Sequence, residues 1–277
     1  MFSHISVSNT INKLFNNATI VYLGKQNLFY RILTQNPYYN IINNTEQPFI
    51  GMIHDDPLLF SHKSNELELN YHAYSWILFH NPAPAALKKE DKHILATKLK
   101  NSIKIFFSDM IRKSWGLYND TNSYSITYGC EVKHGINHTK NIAVLNLDNN
   151  KIINDLYRHI HNIFPDSDLL KSISDTTNID QYRLVVSLEN IYDALYSAAN
   201  GCFVLSNTDL QNNLPSVYKI TDINKINEQI SQILSAPIAH IIETQQFIQN
   251  NFDLQTHYES MNNIFSLAKN RAYLYEA

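Results

Sequence analysis

Glycine, proline, cysteine and net charge are all scarce in this 277-residue chain, and each shortage removes a class of protein. With 6 Gly, few turns or phosphate loops can rest on glycine's freedom to take positive φ. No Gly-Lys-Ser/Thr phosphate loop and no Gly-x-Ser-x-Gly elbow occurs, so ATPase and hydrolase readings have no motif to stand on. The two cysteines, Cys130 and Cys202, are far apart and without Cys-x-x-Cys spacing, which excludes a disulfide scaffold and a zinc finger. A net charge of -3 and a pI near 6.4 leave no global positive field for nucleic acid or anionic lipid. Nowhere does a run of about 18 apolar residues occur, so no membrane span is expected. Met1-Phe2-Ser3-His4 does not open a basic segment followed by an apolar one. The expectation is a soluble cytoplasmic protein in a reducing compartment.

What is present is apolar and aromatic. Hydrophobic residues make up 44%, with 17 Tyr and 13 Phe, enough for one large core or two small ones and too much for a disordered chain. The 35 Asn, with abundant Ile and Lys, read as the codon bias of an AT-rich genome.

Short apolar runs bounded by turn residues recur: 19–24, 48–54, 75–80, 104–108, 125–131, 141–146, 183–187 and 202–206. Such runs fit strands buried on both faces. Between them lie helical patterns at 88–101, 108–115, 154–164 (Leu156, Ile160 and Ile163 on one face) and 192–200. Alternating strands and helices predict parallel βαβ units and an α/β fold. The polar segment 132–140 reads as a domain junction. In the tail, Asp222 reads as the cap of a helix with Ile223, Ile226, Ile230 and Ile233 on one stripe. Pro237 starts another, and Asp253 a third with Leu254, Tyr258, Met261 and Phe265 inward.

The stretch within residues 184–210 carries most chemical content. A strand ends at Ser187, a polar turn with Glu189 and Asn190 follows, a helix runs from near Ile191 to Gly201, and a strand resumes at once. A helix start offers free N–H groups and the positive end of the dipole, so the amides of Asn190, Ile191 and Tyr192 are candidates for a diphosphate. Asp193, in the first turn, has the chemistry to accept hydrogen bonds from two ribose hydroxyls. Any α/β protein contains such a unit, and Asp193 and Gly201 also read as ordinary helix-end residues.

Asp193-Ala194-Leu195-Tyr196-Ser197-Ala198-Ala199-Asn200-Gly201-Cys202-Phe203-Val204-Leu205-Ser206 resembles the C-terminal signature of the two-Rossmann-domain glycosyltransferases, usually called GT-B. That family usually has Glu where this chain has Asp193. His54-Asp55 after a strand is similar to the first-domain turn facing the donor sugar. Residues 104–108 resemble the last N-domain strand, and 126–131 the interdomain turn. The resemblance implies two Rossmann-like domains facing a cleft, with C-terminal helices crossing back: 1–130 on the acceptor side, 131–250 for the nucleotide sugar, and 251–277 packing on the first domain. It implies a glycosyltransferase whose donor is a nucleoside-diphosphate sugar of the UDP type, with no permanently bound cofactor. Donor contacts fall on Tyr128, Lys133, Lys151, Arg183, Glu189, Asn190, Ile191, Tyr192 and Asp193, and catalysis on His54 and Asp55. The Arg and Lys that the family places after its first C-domain strand are missing. Asn146 and Asp148 stand there instead, which leaves Lys133, Lys151 and Arg183 as candidate cations and keeps a non-catalytic nucleotide-binding domain in view.

Two further features bear on partners. Residues 88–113 carry eight Lys/Arg against three acids, with Phe106, Phe107 and nearby Trp115, a pattern that fits either a path for DNA or one solvated helix face. If DNA, the acceptor is a hydroxymethylated base of the kind phage glycosyltransferases modify. The alternative acceptor is a surface glycan or small molecule. His134/His138 and His159/His161 are the closest histidine pairs, but no Glu accompanies them, and no metal site is expected.

Overall fold

The computed structural model describes residues 18–24, 27–43, 51–55, 57, 74–84, 87, 99, 102–188, 190–207 and 214–272. The chain divides into two compact units, one of residues 1–25, 32–127 and 255–277, the other of residues 26–31 and 128–254. Each holds one parallel sheet, so the fold is α/β and Rossmann-like. Among the described residues no helix is long and apolar enough to cross a membrane.

The first unit contains β1 (Ala18–Leu23), β2 (Tyr39–Ile42), β3 (Gly51–His54), β4 (Tyr74–Phe79), β5 (Ile103–Phe106) and β6 (Ser123–Ser125), in spatial order β2-β1-β3-β4-β5-β6. Helix α1 (Leu28–Thr34) joins β1 to β2, and α2 (Asp109–Ser114) follows β5. The interior strands are buried on both faces: Met52, Ile53, Trp76, Ile77, Leu78, Ile105 and Phe106 are each at most 1% exposed. That explains their continuous apolar sequence. The last helix, α7 (Leu254–Ala272), packs Phe265 edge-on against Trp76 (ring centroids 4.8 Å apart) and Tyr39 (5.0 Å). Tyr258 Oη donates to Ile32 O at 3.0 Å. Of the inward set expected for this helix, Tyr258, Met261 and Phe265 are buried, whereas Leu254 is half-buried.

The second unit contains β7 (Lys140–Leu145), α3 (Lys151–His161), β8 (Ser167–Leu170), a 3-10 segment (Ser174–Gln181), β9 (Tyr182–Ser187), α4 (Ile191–Ala199), β10 (Phe203–Ser206), β11 (Val217–Lys219), α5 (Ile226–Leu234) and α6 (Ala239–Asn251). Its sheet order is β11-β10-β9-β7-β8. The pleat sorts its side chains. Ile142, Val144, Leu184, Val186, Phe203 and Leu205 meet Ile153, Leu156 and Ile160 of α3 and Ile226, Ile230 and Ile233 of α5. Ala143, Leu145 and Val185 face the other way, against Leu170, Ile179, Cys202 and, from α4, Tyr196.

Several elements differ from the sequence expectation, each for a local reason. The run 125–131 pairs as a strand only through Ser125, because β6 matches Lys104, Ile105 and Phe106 and no more. Helix α3 begins earlier than expected, where Asn150 caps it by accepting from Ile152 N at 2.9 Å, and it ends at His161. Ile163 therefore lies beyond the helix and is 56% exposed. Asp222 does cap, but its first turn is 3-10, which eclipses i and i+3 and leaves Ile223 49% exposed while Ile226, Ile230 and Ile233 are buried. Strands β2, β8 and β11 have three or four residues each and gave no distinct apolar run. The expected helix 88–101 lies outside the described residues, Leu99 excepted.

Candidate functional site

Both sheets wind outward from an inner strand, so each has a point where strand order reverses. Ligands of open parallel sheets sit beyond the carboxyl ends of the strands at that point. In the first unit it falls between β1 and β3, whose ends are in register at Leu23 and His54. In the second it falls between β7 and β9, where Val144 pairs with Val186.

Gly24 follows β1 and Asp55 follows β3. The Asp55 amide donates to Leu23 O at 3.2 Å, drawing the two strand ends together. His80, one residue past β4, places Nε2 2.8 Å from Asp55 Oδ1. A carboxylate only accepts, so Nε2 carries the proton. The imidazole of His80 stacks on Phe107 with ring centroids 4.6 Å apart and planes at 17°. The next residue is pinned as well, with Trp115 Nε1 donating to Asn81 O at 2.9 Å.

His54 does not join this pair. It is the last residue of β3 and only 3% exposed, and desolvation lowers its pKa to about 4. A group neutral at pH 7 and so weakly basic is poorly matched to proton transfer there. Of the two candidates His54 and Asp55, it is Asp55 that pairs with His80, contributed by the neighbouring strand. The sequence held the signal: His80 ends an apolar run and precedes Asn81-Pro82, the same strand-end place that marked Asp55. His257 of α7 sits behind Phe107, ring centroids 6.3 Å apart, with Nδ1 2.8 Å from Thr127 O. It too is driven down to about 4 by burial.

In the second unit, α4 starts beside the end of β9. Asn190 is its N-cap, and its Oδ1 accepts from Tyr192 N at 2.7 Å. The Tyr192 amide, one of the three expected phosphate donors, is thereby engaged by the cap. The Tyr192 ring is core, packed edge-on to Phe29 at 5.3 Å and tilted against Tyr128 at 5.3 Å, and its Oη donates to Gly129 O at 3.0 Å. Tyr128 is 3% exposed and likewise packs inside. Asp193 is 2% exposed. Glu189 lies outside the described residues.

The expected cations separate by strand direction. Lys133 N–H donates to Ala199 O at 3.2 Å, at the far end of α4, and its Nζ pairs with Asp180 at 2.7 Å. A nine-residue helix is roughly 13 Å long, so Lys133 is that far from the helix start. Arg183 is the second residue of β9, roughly 13 Å from its carboxyl end, and its guanidinium reaches Ala236 O at 3.5 Å. Both therefore stand toward the edge opposite the strand-order reversal. Lys151, the first residue of α3, is on the correct edge and exposed. Lys171, which directly follows β8, stands on the same edge and was not anticipated.

A buried hydroxyl at this edge is unsatisfied among the described residues. Ser187 is fully buried at the end of β9, on the face shared with Val185 and covered by α4, and its Oγ has no hydrogen-bond partner among the described residues. Beside it, Asn146 directly follows β7 with every side-chain polar group used: Oδ1 accepts from Asn150 N, and Nδ2 donates to Asn150 O and Asn154 Oδ1 at 3.0 Å each.

Three of the four paired histidines hold hydrogen bonds. His138 Nε2 lies 2.8 Å from Gly201 O, His159 Nε2 2.9 Å from Asn227, and His161 Nδ1 3.2 Å from Ser167 Oγ. No group of three metal-ligating residues occurs among the described residues. In the basic window, Lys104 is fully buried and pairs with Asp120 at 2.8 Å, so it is an interior cation rather than a surface one. Arg112 and Lys113 lie 5.1 and 5.2 Å from the Tyr118 ring centroid.

The chain is thus a pair of doubly wound parallel α/β units, one edged by an Asp–His pair and the other by a capped helix start with lysines nearby. No protein-family model matches it, and no curated protein sequence is detectably similar. Among solved structures it is similar to the pneumococcal O-GlcNAc transferase GtfA in complex with UDP and GlcNAc: TM-score 0.49, 10% identity, 78% of this chain and 56% of that one. The chain thus spans little more than half of that protein's length. It is also similar to the glycotransferase of kitacinnamycin, with a TM-score of 0.49 and 7% identity over 90% of this chain and 99% of the other. Likenesses at this level assign no activity.

Proposed function

We propose that the chain is a glycosyltransferase that uses a nucleoside-diphosphate sugar of the UDP type, bound at the carboxyl edge of the second unit's sheet. The observation that carries this reading is the unsatisfied, fully buried Ser187 Oγ beside the start of α4. An unpaired buried hydroxyl costs about 1–3 kcal/mol, and a ligand hydroxyl or phosphate oxygen at the reversal point would supply the partner. The Asn190 and Ile191 amides with Lys151 would meet the diphosphate, and Asp193 the ribose. The sequence resemblance of 193–206 names the sugar donor.

In the transfer, the acceptor hydroxyl loses its proton to the Asp55–His80 pair, at the imidazole nitrogen not bonded to Asp55. The hydroxyl oxygen forms a bond to the anomeric carbon. The bond from that carbon to the diphosphate oxygen breaks, and its electron pair leaves with the nucleoside diphosphate. A base placed this way contributes about 10²–10⁴-fold. The acceptor proposed is a hydroxymethylated base in DNA, with a glycan or small-molecule hydroxyl as the alternative. Burial of Lys104 removes one cation from the DNA path and favours the alternative.

A second reading, nucleotide binding without turnover, is favoured by the placement of Lys133 and Arg183 at the opposite edge. A thermal-shift screen with nucleoside diphosphates and their sugars, followed by a transfer assay, separates these. Stabilisation without transfer or hydrolysis supports the second reading, and no stabilisation by any nucleotide sinks both. Salt-sensitive binding to duplex DNA supports the DNA acceptor, and its absence at low salt removes it.

A further inference from the structure

The Asp55–His80 pair depends on how closely β1 and β3 end. A Cβ built on Gly24 would collide with Asp55 Cβ and lie 3.0 Å from Tyr22 Cε1 and 3.1 Å from Tyr22 Cζ. The φ of Gly24 is not positive, so backbone conformation does not demand glycine here. Only the approach of Asp55 on one side and the Tyr22 ring on the other does so. Neither neighbour can yield cheaply. Tyr22 is 1% exposed, and Asp55 Cβ is held by its backbone, whose amide donates to Leu23 O at 3.2 Å. On the far side of the pair, Phe107 is buried and lies face to face with the His80 ring. The carboxylate is thus fixed by clearance and the imidazole by a flat wall.

We infer that Gly24 and Phe107 are positioning residues, which lock the Asp55–His80 hydrogen bond into one geometry in the unliganded protein. This rests on the proposed role of the pair for its catalytic meaning, but not for its structural content. A side chain at Gly24 must displace Asp55 away from His80. Loss of the aromatic wall frees the imidazole to turn about its χ angles. Both changes act on the proton acceptor while leaving the second unit's nucleotide edge untouched.

The test separates the two levels. In the full chain with ¹⁵N-labelled histidine, the side-chain NMR signals of His80 report which nitrogen carries the proton and whether it is bonded to a carboxylate. Asp55→Ala defines the broken state. Gly24→Ala and Phe107→Leu are expected to move His80 toward that state while the signals of His159, which bonds Asn227 in the second unit, stay in place. If Gly24→Ala does not fold, Phe107→Leu, which keeps an apolar side chain of similar size, carries the test. His80 signals unchanged in the folded variants overturn the inference. Where transfer is measurable, both variants should lower kcat by about tenfold or more, with the KM for the nucleotide sugar unchanged. A rise in that KM with kcat unchanged also overturns it. NMR shifts as expected with no transfer by wild type uphold the positioning and reject the catalytic reading instead.

Discussion

Replacing Ser187 by Ala should stabilise the unliganded protein and weaken its response to nucleotide, an opposition of sign that ordinary core substitutions do not produce. Ser187 is fully buried and its Oγ is unpartnered. Removing an unsatisfied buried hydroxyl recovers about 1–3 kcal/mol. The one-atom void left behind, roughly 10–15 Å³, costs about 0.3 kcal/mol at the usual cavity coefficient. The net is a gain of about 1–3 kcal/mol, or a rise in Tm of roughly 2–12 °C at about 2–4 °C per kcal/mol. A nucleoside diphosphate at 100 times its Kd should stabilise the wild type by about 2.7 kcal/mol. The variant should show less at the same concentration, because one ligand hydrogen bond is gone. Urea unfolding with and without UDP measures both quantities. Destabilisation of Ser187→Ala by more than about 1 kcal/mol would mean that the hydroxyl is already satisfied and the site argument fails. Equal nucleotide stabilisation of both proteins would move the ligand elsewhere.

Asp55→Asn should cut transfer by about 10²–10⁴-fold with nucleotide binding intact, as read by steady-state kinetics and thermal shift. Lys151→Ala should weaken nucleoside-diphosphate binding, whereas Lys133→Ala and Arg183→Ala should not, and calorimetry with UDP orders the three. Burial holds the folded pKa values of His54 and His257 at about 4, below the ordinary histidine value of 6.5, so the unfolded chain binds more protons in that window. Stability is therefore full above about pH 6.5 and falls as pH drops toward about 4, by up to about 3 kcal/mol per histidine. Urea midpoints at pH 7 and pH 4.5 measure this, and His54→Leu should flatten the slope. Asp120→Asn strands the buried ammonium of Lys104 and should cost about 3 kcal/mol, while Lys104→Met should be far milder. Equal losses in denaturant titrations would contradict the reasoning.

The legible part of the sequence was the part governed by local rules. Interior strand segments such as 76–79 and 184–187 declared themselves because both faces are buried, so every residue is apolar or small. The α4 unit was readable from end to end, because Asn190 caps it and Gly201, at φ 83°, turns the chain into β10. Edge strands β2, β8 and β11 were not, since three or four half-solvated residues leave no periodic trace. In the site, Asp55 was visible as a strand-end acid beside His54, but its hydrogen-bond partner His80 was not. Adjacent residues on a strand point to opposite faces, so they make poor partners, and the pairing comes instead from a neighbouring strand.

By itself the sequence determined the class: alternating buried strands and amphipathic helices admit little besides parallel α/β units, and its missing motifs removed the commonest nucleotide enzymes. It also marked the turn before α4, because caps and helix-ending glycines act over four or five residues. Tertiary structure alone decided which ends of the strands share an edge. Parallel order put Asp55 beside His80 across 25 positions of chain and left Lys133 and Arg183 on the wrong side of their sheet. Charge and chemistry in a sequence carry no direction, and a parallel sheet supplies one by collecting every carboxyl end on a single edge.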